Sequence, residues 1–315
     1  MTDMPSRIFV AGHRGMVGAA IVRALERAGL PRPMVRTHAE LPLDDRSATR
    51  AFFQAERPEW VFLAAAKVGG ILANQEFGGD FIRMNLEIQT NVIHEAYAAG
   101  ATKLLFLGSS CIYPREAEQP MREDSLLTGP LEPTNLPYAV AKIAGVAMCD
   151  AYRKQFGFDA FTVMPSNVYG IGDNFDPTSS HLVAGMMRRM HEARLADAPS
   201  VTVWGTGKPQ RELVFADDLG DACVHLMRHW DRGGLVNAGS SEEVSVLELA
   251  GLIADVVGYR GAIEFDRSKP DGTPRKIMDN RLLGESGFKT STALRSGLEQ
   301  MYAWWQEGQS SAERS

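Results

Sequence analysis

The stretch Ile8-Phe9-Val10-Ala11-Gly12-His13-Arg14-Gly15-Met16-Val17-Gly18 decides how the rest of the chain is read. Its first four residues are an apolar run that breaks at Gly12. Beyond the break Met16, Val17, Ala20, Ile21, Ala24 and Leu25 recur at helical spacing until Gly29. Strand, tight turn and helix are predicted. Glycines at positions 12, 15 and 18 give a GxxGxxG turn, whose backbone can bend sharply and approach a pyrophosphate seated on the helix N-terminus. Such a turn can also serve only to pack helix on strand, so the dinucleotide reading needs support from the rest of the chain.

Working outward, Met34-Val35-Arg36-Thr37 is expected to be the second strand. Where an acidic residue would grip the ribose 2′-hydroxyl of NAD, the chain has Arg36, with His38 just beyond. A guanidinium suits a 2′-phosphate, and Arg14 can supply a second one, so NADP is expected over NAD; Glu40 is the alternative acid if the strand boundary shifts. Residues 46–56 and 85–99 read as helices, and 60–66, 104–107 and 160–164 as strands. This alternation predicts an α/β fold with a doubly wound parallel sheet of Rossmann type and a smaller C-terminal α/β substrate domain. The expected division is 1–165 for the NADP-binding domain, with segments near 212–240 returning to it, 166–305 mainly for substrate, and 306–315 as a polar, disordered tail.

Composition narrows the function. A net charge of −6 over 315 residues argues against a nucleic-acid protein held by phosphate contacts. Cys111, Cys149 and Cys223 are odd in number and widely spaced, which fits neither a disulfide framework nor a zinc cluster. No apolar run approaches membrane-spanning length, and a cytoplasmic, metal-free protein is expected.

Chemistry enters at Tyr138 and Lys142, four apart and so on one face of a helix. An ammonium beside a phenol favours the phenolate and makes the hydroxyl a better proton donor, the acid needed when hydride is added to a ketone. An isolated pair of this kind is commonly an ordinary helix face. Val140, Ala144, Ala147, Met148 and Ala151 are expected along the inside of that helix. Ser109 follows the strand at 104–107, where open α/β sheets bind ligands, and Pro165-Ser166-Asn167-Val168 is a second polar turn at a strand end. Further on, Trp204 and Arg211 offer an aromatic plane and a cation suited to a base and a diphosphate. Residues 269–276 form a charged loop placed to close over an anionic ligand.

Residues 12–18, Ser109 to Tyr113, Tyr138 with Lys142, and 165–170 together resemble the extended short-chain dehydrogenase/reductase superfamily, which acts chiefly on nucleotide sugars. More narrowly, 11–18, 63–70, 108–114, 132–142, Asp173-Asn174-Phe175 and 269–276 resemble its branch of GDP-4-keto-6-deoxy-D-mannose 3,5-epimerase-4-reductases. The resemblance implies that Gly12, His13, Arg14, Gly15, Met16, Val17 and Gly18 cradle the NADP pyrophosphate, and that residues 38–43 border the adenosine. It places Leu107, Gly108, Ser109, Ser110, Pro165, Ser166, Asn167, Val168 and His181 on the nicotinamide side. Ser109 and Tyr138 would hold the 4-keto oxygen, Lys142 would bind the ribose and lower the phenol's pKa, and Cys111 and His181 would exchange protons at C3 and C5. Arg189, Trp204, Arg211 and Asp271 would contact the GDP-sugar, and pairing through helices matching 85–99 and 138–156 would give a homodimer. His38 departs from the arginine common in the branch, which leaves the 2′-phosphate to Arg14 and Arg36. The alternatives are an enzyme that only reduces or only epimerises a related GDP-deoxysugar, and a non-catalytic NADP-binding sensor.

Overall fold

The computed structural model describes residues 4–177, 179–269 and 271–312. The first half alternates as read: β1 (Ile8–Ala11), α1 (Met16–Arg27), α2 (Arg46–Glu56), β2 (Trp60–Leu63), α3 (Ile71–Glu76), α4 (Gly78–Ala98), β3 (Lys103–Leu107), α5 (Leu136–Phe156) and β4 (Asp159–Pro165). The second half contains β5 (Asn167–Tyr169), α6 (Leu182–Leu195), β6 (Ser200–Trp204), β7 (Gln210–Phe215), α7 (Ala216–His229) and β8 (Leu235–Ala238). It continues with β9 (Glu243–Ser245), α8 (Val246–Val257), β10 (Ala262–Asp266), β11 (Arg275–Lys276), α9 (Arg281–Glu285) and α10 (Leu294–Ala312).

The main sheet is parallel throughout, in the order β1-β2-β3-β4-β8. Its strands are mostly apolar because both faces are covered, by α1 and α7 on one side and α4 and α5 on the other. On the outer edge of β1 the expected strand at 34–37 is reduced to one bridge, Phe9 to Met34. Pro31 and Pro33 have no N–H to donate to a ladder, and the Arg36 guanidinium bonds the Val35 carbonyl and the Glu56 carboxylate instead. The chain thus runs from β1 to Met34 on one side and crosses to β2 on the other. That reversal makes the glycine turn the switch point where such sheets bind ligands.

α4 begins at Gly78, ahead of the expected start near Asn85. On α5 the buried positions are Ala139, Ala141, Lys142, Gly145, Val146 and Cys149, whereas Val140 is 40% exposed and Ala147 and Ala151 are exposed. Three of the five positions expected inside are therefore outside, while Ala144 is half-buried and Met148 packs against the core from the edge. Tyr138 and Lys142 themselves set which side faces the sheet, and Gly145 permits the close approach: a Cβ there would lie 2.5 Å from the Phe106 ring.

The C-terminal layer combines the parallel pair β6 and β10 with a small sheet in which β7 lies between β5 and β11 and also pairs β9 antiparallel. A capping box from Ser245 and Glu248 opens α8, which packs with α6 and α10 around Met186, Met187, Leu249, Ile253, Leu298 and Met301. α10 continues as helix past Gln306 to Ala312, where a disordered tail was expected; 313–315 lie outside the described residues. Among the described residues no helix is long and apolar enough to cross a membrane.

Candidate active site

A cleft of about 1460 Å³ runs from the glycine turn, across the carboxyl ends of the main strands, to the small sheet. At the first end, geometry permits only glycine at two positions. Gly12 has φ +87° and a Cβ there would lie 2.6 Å from the Ala65 nitrogen, while a Cβ on Gly18 would lie 2.1 Å from the Gly12 carbonyl. α1 opens at Gly15 with no side-chain cap and no acid in its first turn, so its leading N–H groups and positive dipole end are free for an anion. A cradle this close, with bare amide donors, fits a dinucleotide pyrophosphate. His13 lines it and leaves a buried Nδ1 without a partner.

Beyond the turn the cleft is walled by Arg14, Arg36, His38, Leu41 and Leu43. Arg36 is already engaged: it pairs with Glu56 at 3.0 Å and lies over the Phe52 ring at 5.5 Å. The exposed Glu40 carboxylate accepts from the Thr37 N–H at 2.7 Å, which holds its pKa below the usual carboxylate range, with Arg36 and Arg14 adding to the effect.

In the middle, Leu107, Gly108, Ser109, Ser110, Cys111, Tyr138, Pro165, Ser166, Asn167, Val168 and His181 all line the same space. Ser109 Oγ accepts from the Cys111 N–H at 3.5 Å. Burial pushes the Tyr138 phenol well above its ordinary value; Cys111 adds to this and a hydrogen bond with Ser109 opposes it. Lys142 lies beneath the cleft floor, donating from Nζ to the Leu107 carbonyl at 2.8 Å, with Nζ 4.6 Å from the Phe106 ring centroid and 5.9 Å from that of Tyr138. Burial lowers its own pKa to about 8, against a smaller opposing pull from Cys111. Burial is the largest of the causes acting on the phenol, and it outweighs the Ser109 hydrogen bond. Burial also raises the Cys111 thiol, while Lys276, then Ser109 and Lys142, draw it down.

The far end is charged. Trp204 is 64% exposed, with Lys269 Nζ 5.5 Å above its ring. Arg211 Nη1 donates to the Gln210 and Thr273 carbonyls at 2.8 and 2.7 Å, and burial lowers its pKa against the pull of Asp271. Asp271 accepts from both the N–H and Oγ1 of Thr206 at 2.7 Å, which ties the 271–276 loop to the turn after β6. Arg189 stands apart: it is not part of the cleft wall, burial lowers its pKa, and its Nε has no partner. The structure adds two cleft residues that were not assigned a role from the sequence. Lys276 ends the charged loop, and burial lowers its pKa while Cys111 pulls it up. Asp173 opens the Asp173-Asn174-Phe175 motif and is 7% exposed. Both are charged residues within stretches that carry the family resemblance, 269–276 and Asp173-Asn174-Phe175.

A dinucleotide cradle at a switch point, hydroxyls at the strand ends and a charged far wall define a cofactor-dependent Rossmann-type enzyme. The chain belongs to the NAD dependent epimerase/dehydratase family, which matches residues 8–239. Within it the chain is similar to putative GDP-L-fucose synthase 2 of Arabidopsis thaliana, 54% identical over 98% of this chain and 94% of that one. The GDP-L-fucose synthase of Escherichia coli K12 is 49% identical over 96% and 97%. Among solved structures, a GDP-mannoheptose C4 reductase from Campylobacter jejuni with NADP bound superimposes with a TM-score of 0.88 at 33% identity, covering 96% of this chain and 98% of that one. The narrower resemblance read from the motifs agrees with these relatives.

Proposed function

We propose that this chain is a GDP-L-fucose synthase, which inverts C3 and C5 of GDP-4-keto-6-deoxy-D-mannose and then reduces C4 with NADPH. The observation that carries the proposal is that one cleft holds both the Ser109 and Tyr138 hydroxyls and the Cys111 and His181 side chains, between the glycine cradle and the cationic wall. Similarity to GDP-L-fucose synthases over nearly the whole chain supports the same substrate.

The 4-ketone acidifies the protons on C3 and C5, and inversion requires removing each from one face and returning one to the other. Cys111 and His181 perform this exchange as a thiol and an imidazole, and Lys276 counters the burial that raises the thiol. Ser109 and Tyr138 hold the 4-oxygen. NADPH, when bound, supplies the hydride for C4. Tyr138 donates the proton to the alkoxide oxygen, and its high pKa keeps the hydroxyl protonated until that charge develops. Lys142 would hold the cofactor ribose, its Nζ positioned by the Leu107 carbonyl. Trp204 stacks on the base while Arg211 and Lys276 face the diphosphate, with Asp271 fixing the loop and Arg189 acting from behind the wall. NADP over NAD follows from Arg14 beside an Arg36 held at the cradle's rim. The exposed stripe Val140, Ala147 and Ala151 on α5 supports pairing of two copies as a homodimer, and the net charge of −6 speaks against a nucleic-acid partner. The second reading is a reductase without epimerase chemistry, in which Cys111, 8% exposed, is an inert buried thiol.

Turnover in deuterated water with GDP-4-keto-6-deoxy-D-mannose separates them. NADPH loss with deuterium at C3 and C5 is the expected result; NADPH loss without label gives the simple reductase.

A further inference from the structure

The loop between β5 and α6 carries more structure than a connection needs. Asn174 Nδ2 donates to Ser179 Oγ at 2.9 Å, and its Oδ1 accepts from the Asp176 N–H at 2.9 Å. Asp176 Oδ1 in turn accepts from the N–H and Oγ of Ser179 at 2.9 and 3.0 Å. Phe175 stacks on Trp305 at 4.6 Å with an interplanar angle of 8°, which anchors the loop to α10. This clamp folds the segment back on itself. Its two ends, Asp173 and His181, therefore reach the wall of one cleft.

The two ends differ in what holds them. His181 precedes α6 as its N-cap but makes no side-chain capping bond, and it is exposed, so its imidazole is free to turn. Asp173 is fixed: it is 7% exposed and Oδ1 accepts from the Asn174 N–H at 2.7 Å. Its Oδ2 is buried with no partner. An isolated carboxylate oxygen is costly to bury, and such an atom in a cleft is commonly awaiting a donor. Burial raises this carboxyl to about 6, against the Asn174 N–H and then the charge of His181.

We infer that Asp173 is a positioning residue for His181: with substrate in the cleft, Asp173 Oδ2 accepts the N–H of the imidazole and fixes the ring's tautomer and aim. A carboxylate on one ring nitrogen dictates what the other nitrogen offers to the reacting carbon. The inference rests on the reading that His181 exchanges a proton at C3 or C5.

The test is deuterium exchange into C3 and C5 of GDP-4-keto-6-deoxy-D-mannose, without NADPH, for Asp173→Asn, His181→Asn and the double variant. Asp173→Asn retains the oxygen that caps Asn174. Its exchange kcat is expected to fall about ten- to a hundredfold with little change in KM, the range seen when an orienting partner is lost. The double variant should be no slower than His181→Asn alone. Multiplying defects, or a defect confined to KM, would overturn the inference. Normal exchange by Asp173→Asn beside a slow His181→Asn would overturn it alone, whereas normal exchange by His181→Asn would remove the underlying reading as well. Nitrogen-15 shifts of His181 in the wild-type enzyme with GDP-L-fucose bound give a check independent of variant folding: one tautomer is expected, and a mixture contradicts the pairing.

Discussion

The cofactor end of the cleft is built from backbone and the substrate end from side chains. At Gly12 and Gly18 atoms approach so closely that a single added carbon would strike main chain, and the anion is offered amide groups whose positions follow from β1 and α1. At Trp204, Arg211, Asp271 and Lys276 the surface is charged, partly exposed and tied together by loop hydrogen bonds. The first end permits one ligand geometry and loses it abruptly. The second is adjustable residue by residue, and it is there that relatives acting on different GDP-sugars have room to differ.

The largest effect should come from testing the rigid end. Gly18→Ala places a methyl 2.1 Å from the Gly12 carbonyl, so the turn must open. Overpacking of this kind costs about 1–3 kcal/mol of stability. We expect NADPH affinity, read by fluorescence titration, to fall by about five- to a hundred-and-fortyfold if the bound geometry bears that cost, since each 1.4 kcal/mol is a factor of ten, together with a lower melting temperature. Unchanged binding would show that the close approach is not what shapes the site. At the adjustable end, Trp204→Ala removes an exposed ring worth about 0.5–1.5 kcal/mol as a stacking partner, a rise of roughly two- to twelvefold in KM for the GDP-sugar. kcat and melting temperature should not move. A fall in stability would mean that the ring is structural.

A third effect lies between the two ends. Lys142 has its pKa lowered from 10.5 to about 8 by burial. Between those values the unfolded chain binds more protons at this site than the folded one, so stability rises with pH across that window. The ammonium itself is lost above about pH 8. Thermal melts from pH 7 to 10 should show the wild type gaining on Lys142→Met. A constant difference would contradict the burial argument.

Much of this contrast was legible in the sequence, and unevenly. The glycine turn, the strand at 104–107, the α8 capping box and the tyrosine and lysine pair are local patterns, and local geometry realises them. What escaped depends on partners distant in sequence. Arg36 reads as a free cation until Glu56 is found beside it. The inner face of α5 cannot be told from its outer face by periodicity, because both carry small apolar residues and the deciding contact is Gly145 against Phe106. Residues 34–37 have strand-like composition, yet the prolines before them leave one bridge. The pair β6 and β10 joins segments about sixty residues apart, and β10 has no pattern of its own strong enough to announce it.

The central claim is that one cleft carries two separable chemistries, and a single pair of variants tests it most directly. Tyr138→Phe and Cys111→Ser are each given GDP-4-keto-6-deoxy-D-mannose and NADPH in deuterated water, with cofactor absorbance and sugar NMR followed together. Tyr138→Phe should keep deuterium entering at C3 and C5 while NADPH consumption falls about a hundredfold or more, as loss of a general acid requires. Cys111→Ser should lose the label. If Cys111→Ser exchanges normally, or Tyr138→Phe loses exchange and reduction in equal measure, the two chemistries are not divided among these residues and the account fails.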